Sequence, residues 1–155
     1  MLKEESVVEW TSLRYDELNT VELELAGRAK RHALQAYAPY SGFKVGAALL
    51  LSNGEVIGGS NQENAAYPSG LCAERVALFS AATQYPEAAP VQMAVIAMTN
   101  GEIIAGPVSP CGGCRQTFEE VRKRYGCDFE LLLCGKDKVI KISSSALMPL
   151  AFHLV

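Results

Sequence analysis

Apolar residues at helical spacing predict three helices in this chain. The first begins near Leu18 and ends before Pro39, and its apolar positions at helical spacing are Val21, Leu25, Ala29, Ala33 and Tyr37. The second covers residues 72–82, where small and apolar side chains form a face that can pack closely on a sheet. The third covers residues 111–125 and is ended by Gly126. The chain therefore supplies three helices of ordinary length that can cover a sheet.

Short apolar runs between the helices predict about five strands. Asn53-Gly54 stands between the first two runs, which is typical of a hairpin with a tight turn. Alternation around residues 8–12 indicates one more short strand. Because strands and helices interleave, we expect an α/β domain folded as a three-layer α/β/α sandwich with a sheet of about five strands. The runs are 45–51, 56–57, 91–98, 130–134 and 139–142.

The composition is that of a folded domain. The 155 residues are enough for one domain with its own core. Hydrophobic residues make up 49% of the chain and charged residues 20%, which excludes a disordered chain. Residues 1–19 are charged and hold the only tryptophan. We therefore expect a single domain over residues 1–155, with residues 1–19 as an N-terminal extension.

Charge and hydropathy argue against nucleic acid and membranes as partners. The net charge is −3, and no dense basic run exceeds Arg122-Lys123-Arg124, so general binding to polyanions is disfavoured. No segment reaches the roughly 18 uncharged apolar residues of a membrane span. The first ten residues are too charged for a secretory signal. We therefore expect a cytoplasmic protein.

Three of the five cysteines have the positions expected of a metal site. Cys111 and Cys114 are three residues apart at the start of a predicted helix, where free N–H groups and the helix dipole favour thiolates. Thiolates at this spacing can bind one zinc ion. Cys72 opens another predicted helix and can supply a third ligand. Three thiolates leave the fourth tetrahedral position to water, which distinguishes a catalytic zinc site from a structural one.

An acidic residue follows the first of these cysteines. Glu74 is two residues beyond Cys72, and the two side chains can share a site if Cys72 is the non-helical cap of its helix. Glu74 can then act as general acid and base, which is the chemistry of a hydrolytic deaminase. Three thiolates on Zn²⁺ leave a net charge near −1 that needs compensation. Two helix N-termini and Arg75 are the candidates.

Three motifs follow one another in the chain with compatible spacing. Together they resemble the small homotetrameric cytidine deaminases, over about residues 20–155. The resemblance implies a mixed sheet, Zn²⁺, and hydrolytic conversion of cytidine and 2′-deoxycytidine to the uridine nucleosides with release of ammonia, in pyrimidine salvage. The motifs are Ala38-Pro-Tyr-Ser-Gly-Phe-Lys-Val-Gly46, Asn61-Gln-Glu-Asn-Ala-Ala-Tyr-Pro-Ser-Gly-Leu-Cys-Ala-Glu-Arg75 and Pro110-Cys-Gly-Gly-Cys-Arg-Gln116.

The resemblance also implies roles for individual residues. Cys72, Cys111 and Cys114 would bind zinc, Glu74 would shuttle protons, and Arg75 would donate hydrogen bonds to the thiolates. Asn61 and Glu63 match the pair that holds the ribose 3′-hydroxyl, and Phe43 matches an aromatic residue beside the base. Ala73 is a further implied substrate contact. Phe152 resembles the residue that reaches into a neighbouring subunit and stacks on the pyrimidine, so active sites would be shared within a homotetramer.

The residues alone leave alternatives open. The cysteines could hold a structural zinc in a non-catalytic domain, or Cys111 and Cys114 could be a redox pair. The same chemistry could serve another cytosine nucleoside, such as a nucleoside antibiotic, whereas editing of polynucleotides fits poorly with the acidic chain. A closed structural zinc would need a fourth ligand from His32, His153, Cys127 or Cys134.

Overall fold

Seven strands and three α-helices form the fold in the computed structural model, which describes residues 1–154. The helices are α1 (Thr20–Leu34), α2 (Ala73–Gln84) and α3 (Gly112–Tyr125). The strands are β1 (Thr11–Leu13), β2 (Lys44–Leu51), β3 (Val56–Ser60), β4 (Pro90–Thr99), β5 (Glu102–Ile103), β6 (Glu130–Cys134) and β7 (Val139–Ser143).

The strands form one mixed sheet in the order β1-β7-β6-β4-β2-β3, with β5 paired to β4. Strands β4 and β6 run parallel, with Val95 opposite Leu133, and the other pairs are antiparallel. The prediction of about five strands was therefore wrong. Strand β1 overlaps the short strand expected around residues 8–12 but begins at Thr11. Strand β5 was not expected, because its two residues are too few for a periodic pattern.

Side chains of the central strands alternate between two cores, one on each face of the sheet. Leu49 and Leu131 are buried with side chains of α2 and α3, whereas Ala48 and Leu132 are buried with side chains of α1. This alternation follows from the two-residue period of a strand. Helices thus cover both faces, and the predicted three-layer α/β/α arrangement is confirmed.

Two glycines allow the helices to lie unusually close to the sheet. A Cβ on Gly46 of β2 would overlap backbone atoms of α1. A Cβ on Gly59 of β3 would overlap Ala73 O and lie 2.6 Å from Ala77 N. Because Ala73 and Ala77 belong to the first turns of α2, Gly59 sets the position of that helix N-terminus.

Helix α1 is shorter than its sequence pattern predicts. Asn19 and Glu22 form a capping box, in which each side chain accepts a hydrogen bond of 3.0 Å from the other residue's backbone N–H. The helix ends at Leu34. Val21 and Tyr37, which the pattern placed on the inner face, are exposed.

Part of the N-terminal segment belongs to the sheet. Strand β1 pairs with β7, with Thr11 opposite Lys141. Tyr15 Oη donates to Gly135 O at 2.8 Å, and Leu18 is buried. Residues 1–10 are exposed and have no regular secondary structure. Within the described residues, every helix is too short or too polar to cross a bilayer.

Candidate active site and metal centre

Three cysteines lie at the N-termini of α2 and α3. Cys72 is the N-cap of α2, and Cys111 is the N-cap of α3, both with extended backbone (φ −72°, ψ 154° and φ −67°, ψ 166°). Cys114 follows in the first turn of α3 and is buried. Neither cap side chain accepts a helix N–H, so both helix dipoles act on the space between the sulfur atoms.

The sulfur atoms form a cluster of the size that a zinc ion requires. Cys111 Sγ lies 3.6 Å from both Cys72 Sγ and Cys114 Sγ, and all three atoms lie within 4.8 Å of one another. Sulfur atoms bound to a tetrahedral Zn²⁺ at about 2.3 Å are about 3.8 Å apart, so the cluster fits this ion. Among residues 1–154, no further histidine, cysteine or acidic residue belongs to the cluster. This arrangement favours an open zinc site over a closed structural one.

Charges around the cluster favour a thiolate at Cys72. A hydrogen bond from Cys114 and the guanidinium of Arg75 together lower the pKa of Cys72 to about 5, although burial opposes this. Arg75 Nη2 lies 3.7 Å from Cys72 Sγ. The same bond to Cys72, together with burial, raises the pKa of Cys114. Cys114 is therefore the proton donor to the Cys72 thiolate, and binding of a cation would displace the Cys114 proton.

Glu74 combines burial with a place beside the cysteines. It is the second residue of α2, its side chain is only 4% exposed, and it lines the same cavity as Cys72 and Cys111. Burial raises the pKa of its carboxyl group, and the negative charge at Cys72 adds to this effect. A carboxyl group with a raised pKa can both accept and return a proton near neutral pH.

A cavity of about 590 Å³ brings most of the predicted site residues together. Its volume is within the usual range of small-molecule sites. The tyrosines at positions 40 and 67 also line it, and both side chains are largely exposed. The predicted residues that line the cavity are Phe43, Asn61, Glu63, Cys72, Glu74, Arg75 and Cys111.

Asn61 fixes the segment that carries Phe43. Asn61 Oδ1 accepts from Val45 N at 2.7 Å, and Asn61 Nδ2 donates to Phe43 O at 3.0 Å. Both groups of its amide are therefore used by the backbone at the start of β2. In this structure Asn61 positions the cavity wall, and it also lines the cavity next to Glu63.

The sequence did not single out Ser41, which contacts two of the predicted residues. Its hydroxyl donates to Glu63 Oε1 and accepts from Phe43 N at 3.0 Å. The only signal in the sequence was its place inside the first of the three motifs. The contact with Glu63 joins residues 22 positions apart, which sequence spacing alone does not reveal.

Arg115 was also missed, although it lies inside the third motif. Its Nε donates to Pro110 O at 2.8 Å, and its Nη1 donates to Leu147 O at 3.2 Å. Arg115 therefore connects the loop before Cys111 to the segment that leads to the C-terminus.

Two of the predicted substrate-binding residues are not part of the cavity lining. The side chain of Ala73 is fully buried, so any contact with a substrate goes through its backbone. Phe152 is 68% exposed, and its carbonyl accepts from Gln116 Nε2 at 3.0 Å. Within one chain Phe152 does not line the cavity, and its place in a neighbouring subunit stays a prediction.

Comparisons of the sequence with known proteins agree with this geometry. A family model described as the cytidine and deoxycytidylate deaminase zinc-binding region matches residues 20–126, which include the three clustered cysteines. The cytidine deaminase of Halalkalibacterium halodurans is 43% identical over 118 residues, which are 76% of this chain and 83% of that protein.

The fold is also similar to that of solved structures. The crystal structure of a cytidine deaminase from Burkholderia pseudomallei has a TM-score of 0.70 and 41% identity, over 83% of this chain and 97% of that chain. A cytidine deaminase from Mycobacterium tuberculosis has a TM-score of 0.65 and 30% identity, over 84% and 96% of the two chains. Motifs, cysteine cluster, sheet and sequence similarity agree, and this chain belongs to the zinc-binding cytidine and deoxycytidylate deaminase family.

Proposed function

We propose that this protein is a zinc-dependent aminohydrolase that converts cytidine and 2′-deoxycytidine to uridine and 2′-deoxyuridine with release of ammonia. The observation that carries the proposal is the open cluster of three sulfur atoms beside the buried Glu74, at the wall of one cavity. Relatives named cytidine deaminase, similar over most of the chain, support the same activity.

The three cysteines and the neighbouring Glu74 and Arg75 would have different roles in the reaction. Cys72, Cys111 and Cys114 would hold zinc, which when bound there supplies a Lewis acid that lowers the pKa of water. Glu74 accepts a proton from the attacking water and delivers it to a ring nitrogen. It then takes the second proton, from the hydroxyl group formed at the attacked carbon, and delivers it to the amino group, which leaves as ammonia while the carbonyl forms. Burial of Glu74 keeps both protons out of bulk solvent. Arg75 donates to Cys72 and offsets the negative charge of the sulfur atoms.

The cavity wall would hold the nucleoside. Phe43 lies beside the base, Asn61 and Glu63 bind a sugar hydroxyl, and the backbone of Ala73 contacts the pyrimidine. An analogue without that hydroxyl leaves one acceptor position of the Glu63 carboxylate without its donor, which lowers the affinity for the analogue. None of these groups is assigned to the 2′-hydroxyl, so cytidine and 2′-deoxycytidine should both be substrates.

The charges of the cavity favour a nucleoside over a nucleotide. Of the residues that line the cavity in the described chain, Arg75 is the one cation, and it is engaged with Cys72. Glu63, whose pKa is lowered by its hydrogen bond from Ser41, adds negative charge. A 5′-phosphate would therefore enter without a basic partner. We expect kcat/KM for cytidine monophosphate to be at least about 100-fold below that for cytidine.

We also propose how the chains assemble, which metabolic role the reaction has and in which compartment it takes place. We propose a homotetramer in which Phe152 of one subunit completes the cavity of its neighbour, since this side chain is exposed and lies outside its own cavity. The substrate is a free nucleoside, which suits pyrimidine salvage. The free cysteines suit a reducing cytoplasm.

Loss of ultraviolet absorbance on addition of cytidine to the zinc-loaded protein tests the activity. We expect Glu74→Gln to lower kcat at least about 1000-fold with unchanged zinc content, because proton transfer is lost while the ligands remain. Glu24→Gln, at an exposed position of α1, is the matched control and should keep the wild-type rate. A wild-type protein with one zinc per chain and no cytidine turnover would instead support a non-catalytic zinc domain.

A further inference from the structure

One hydroxyl group joins the two parts of the cavity wall that hold the base and the sugar. Ser41 Oγ donates to Glu63 Oε1 and accepts from Phe43 N at 3.0 Å. A serine hydroxyl has one proton, so the donated bond goes to the carboxylate alone. Ser41 therefore acts on Glu63 as a donor and on Phe43 as an acceptor.

Most of the hydrogen-bond acceptor positions of the Glu63 carboxylate are occupied by donors of residues 40–41. Its Oε2 accepts from Tyr40 N at 2.8 Å and from Ser41 N at 3.3 Å, and its Oε1 accepts the Ser41 hydroxyl. A carboxylate offers about four acceptor positions, so about one is left, on Oε1. The donated bonds, first that from Ser41, also lower the pKa of Glu63, which keeps it ionised. An ionised carboxylate has no proton to give and can bind only a donor, such as a sugar hydroxyl.

Backbone bonds hold the same two segments together beside this contact. Glu63 N donates to Tyr37 O at 2.8 Å, and Tyr37 N donates to Asn61 O at 3.1 Å. The exposed turn at residues 40–42, in contrast, is attached to segment 61–63 through the side chain of Glu63. The orientation of the carboxylate and the position of the turn therefore depend on each other.

We propose that Ser41 is a positioning residue for sugar recognition, which orients Glu63 so that its last acceptor position faces the nucleoside. This inference rests on the proposed function, in which Glu63 binds a sugar hydroxyl. Phe43 depends less on Ser41, because the amide of Asn61 holds its carbonyl independently. Loss of the Ser41 hydroxyl should therefore affect the sugar more than the base.

Kinetics with two substrates separate these effects. We expect Ser41→Ala to lower kcat/KM for cytidine about tenfold, mainly through KM, and that for 2′,3′-dideoxycytidine less than about threefold, because the latter lacks the 3′-hydroxyl. Ser41→Thr keeps the hydroxyl and should restore most of the cytidine value. Ser52→Ala is the matched control, since the Ser52 hydroxyl accepts a backbone N–H at a different turn. Equal losses on both substrates, or no loss on cytidine, would overturn the proposal.

A double-mutant comparison identifies the partner through which Ser41 acts. If Ser41 works through Glu63, Glu63→Gln should lower kcat/KM for cytidine, and adding Ser41→Ala to it should cause little further loss. Losses that multiply independently would show that Ser41 acts by another route.

Hydrogen exchange of backbone amides in the substrate-free protein tests the contact between Ser41 and Glu63 independently of any catalytic activity. We expect both Ser41→Ala and Glu63→Gln to speed exchange of the Tyr40 and Ser41 amides several-fold, while amides of β2 stay unchanged. Unchanged exchange at residues 40–41 in both variants would remove the basis for the inference, whatever the kinetics show. If the wild-type protein fails to turn over cytidine but both variants show the faster exchange, the proposed function is overturned and the contact between Ser41 and Glu63 stands.

Discussion

Arg75 is the residue on which the charge balance of the metal site depends. Its guanidinium lies 3.7 Å from Cys72 Sγ and supplies the positive side chain of the cavity lining. We expect Arg75→Gln to weaken zinc binding about 10- to 100-fold, because the negative charge of three thiolates is then less well compensated. Competition with a chromogenic chelator measures this affinity directly.

The control for this change is another arginine in a helix. Arg28→Gln removes an exposed ion pair with Glu24 on α1 and should leave zinc affinity unchanged. Equal zinc affinity in the Arg75 variant and the wild type would show that the two helix N-termini alone balance the sulfur charge.

At the residue scale, spacing in the sequence identified what is local to one helix start. Cys111 and Cys114 are in one turn, and Cys72 and Glu74 share a cap and first turn, so helix geometry brings each pair together. That the two pairs face each other came from the family resemblance. The bonds of Ser41 could not be predicted from spacing, because they depend on how a turn packs against a distant segment.

Gly59 fixes the helix that carries half of the site. A methyl group at this position would overlap Ala73 O, so Gly59→Ala must push the N-terminus of α2 away from β3. We expect the free energy of unfolding to fall by about 1–3 kcal/mol and zinc affinity to fall with it, since Cys72 moves. Denaturant unfolding and a zinc competition assay measure the two effects.

Gly106 provides a control position for the Gly59→Ala variant. A Cβ at Gly106 meets no atom within 4 Å, and its φ is not positive, so Gly106→Ala should change neither quantity by much. If both variants behave like the wild type, α2 can shift without loss and the close approach has no role in the site.

Asp128 ties the end of α3 to the segment after β7. Burial opposes its ionisation, but hydroxyls of Ser143, Ser144 and Ser145 and the guanidinium of Arg122 lower its pKa to about 2. This value is below the unfolded pKa of about 3.9, so the carboxylate stabilises the fold above about pH 4, and the contribution is lost as the pH falls towards 2.

The pH dependence of thermal unfolding tests this linkage. We expect Asp128→Asn to lower the free energy of unfolding by roughly 1–2 kcal/mol at pH 7, and the difference from wild type to shrink below about pH 4. Asp137→Asn, at an exposed position between β6 and β7, is the control. A difference that is the same at pH 3 and pH 7 would contradict a role for the charge of Asp128.

At the scale of elements, the long strands and the three helices were predictable, the bounds of β1 were only approximate, and β5 was not predicted. Strands such as β2 and β4 carry apolar runs because both of their faces are buried. Strand β5 is defined by its pairing with β4 and not by a pattern of its own, and pairing with β7 sets the bounds of β1. The burial of Glu22 in α1 was also not predictable from the sequence. Glu22 is only 3% exposed and accepts a hydrogen bond of 2.6 Å from Lys141 of β7. Helical periodicity does not indicate a pair between residues so far apart in the chain.

At the scale of the whole molecule, Phe152 is the residue with which we propose that one subunit completes the cavity of its neighbour. We expect Phe152→Ala to lower kcat/KM for cytidine at least about tenfold, with zinc content and folding unchanged, because a stacking contact with the base is lost. Leu154→Ala, two residues further along the exposed tail, should have little effect.

Mixing the Glu74→Gln and Phe152→Ala variants, which are both impaired, tests whether the site is shared. Subunits with Glu74→Gln still carry Phe152, and subunits with Phe152→Ala still carry Glu74. If each cavity takes Phe152 from a neighbour, mixed oligomers should be more active than the sum of the two separate variants, because some cavities then combine an intact Glu74 with an intact Phe152. Activity that stays at the sum of the separate variants, after exchange of subunits is verified, would place Phe152 in its own chain's site or in none.

The distance along the chain between the metal ligands has a consequence for folding. Cys72 and Cys111 are 39 residues apart, so an ion bound between them closes a large loop of the polypeptide, as a disulfide would, but reversibly. An ion that binds only the native chain adds about 1.4 kcal/mol of stability for each tenfold excess over its dissociation constant. The melting temperature of this protein should therefore rise with the logarithm of free zinc, which makes metal supply part of its folding equilibrium.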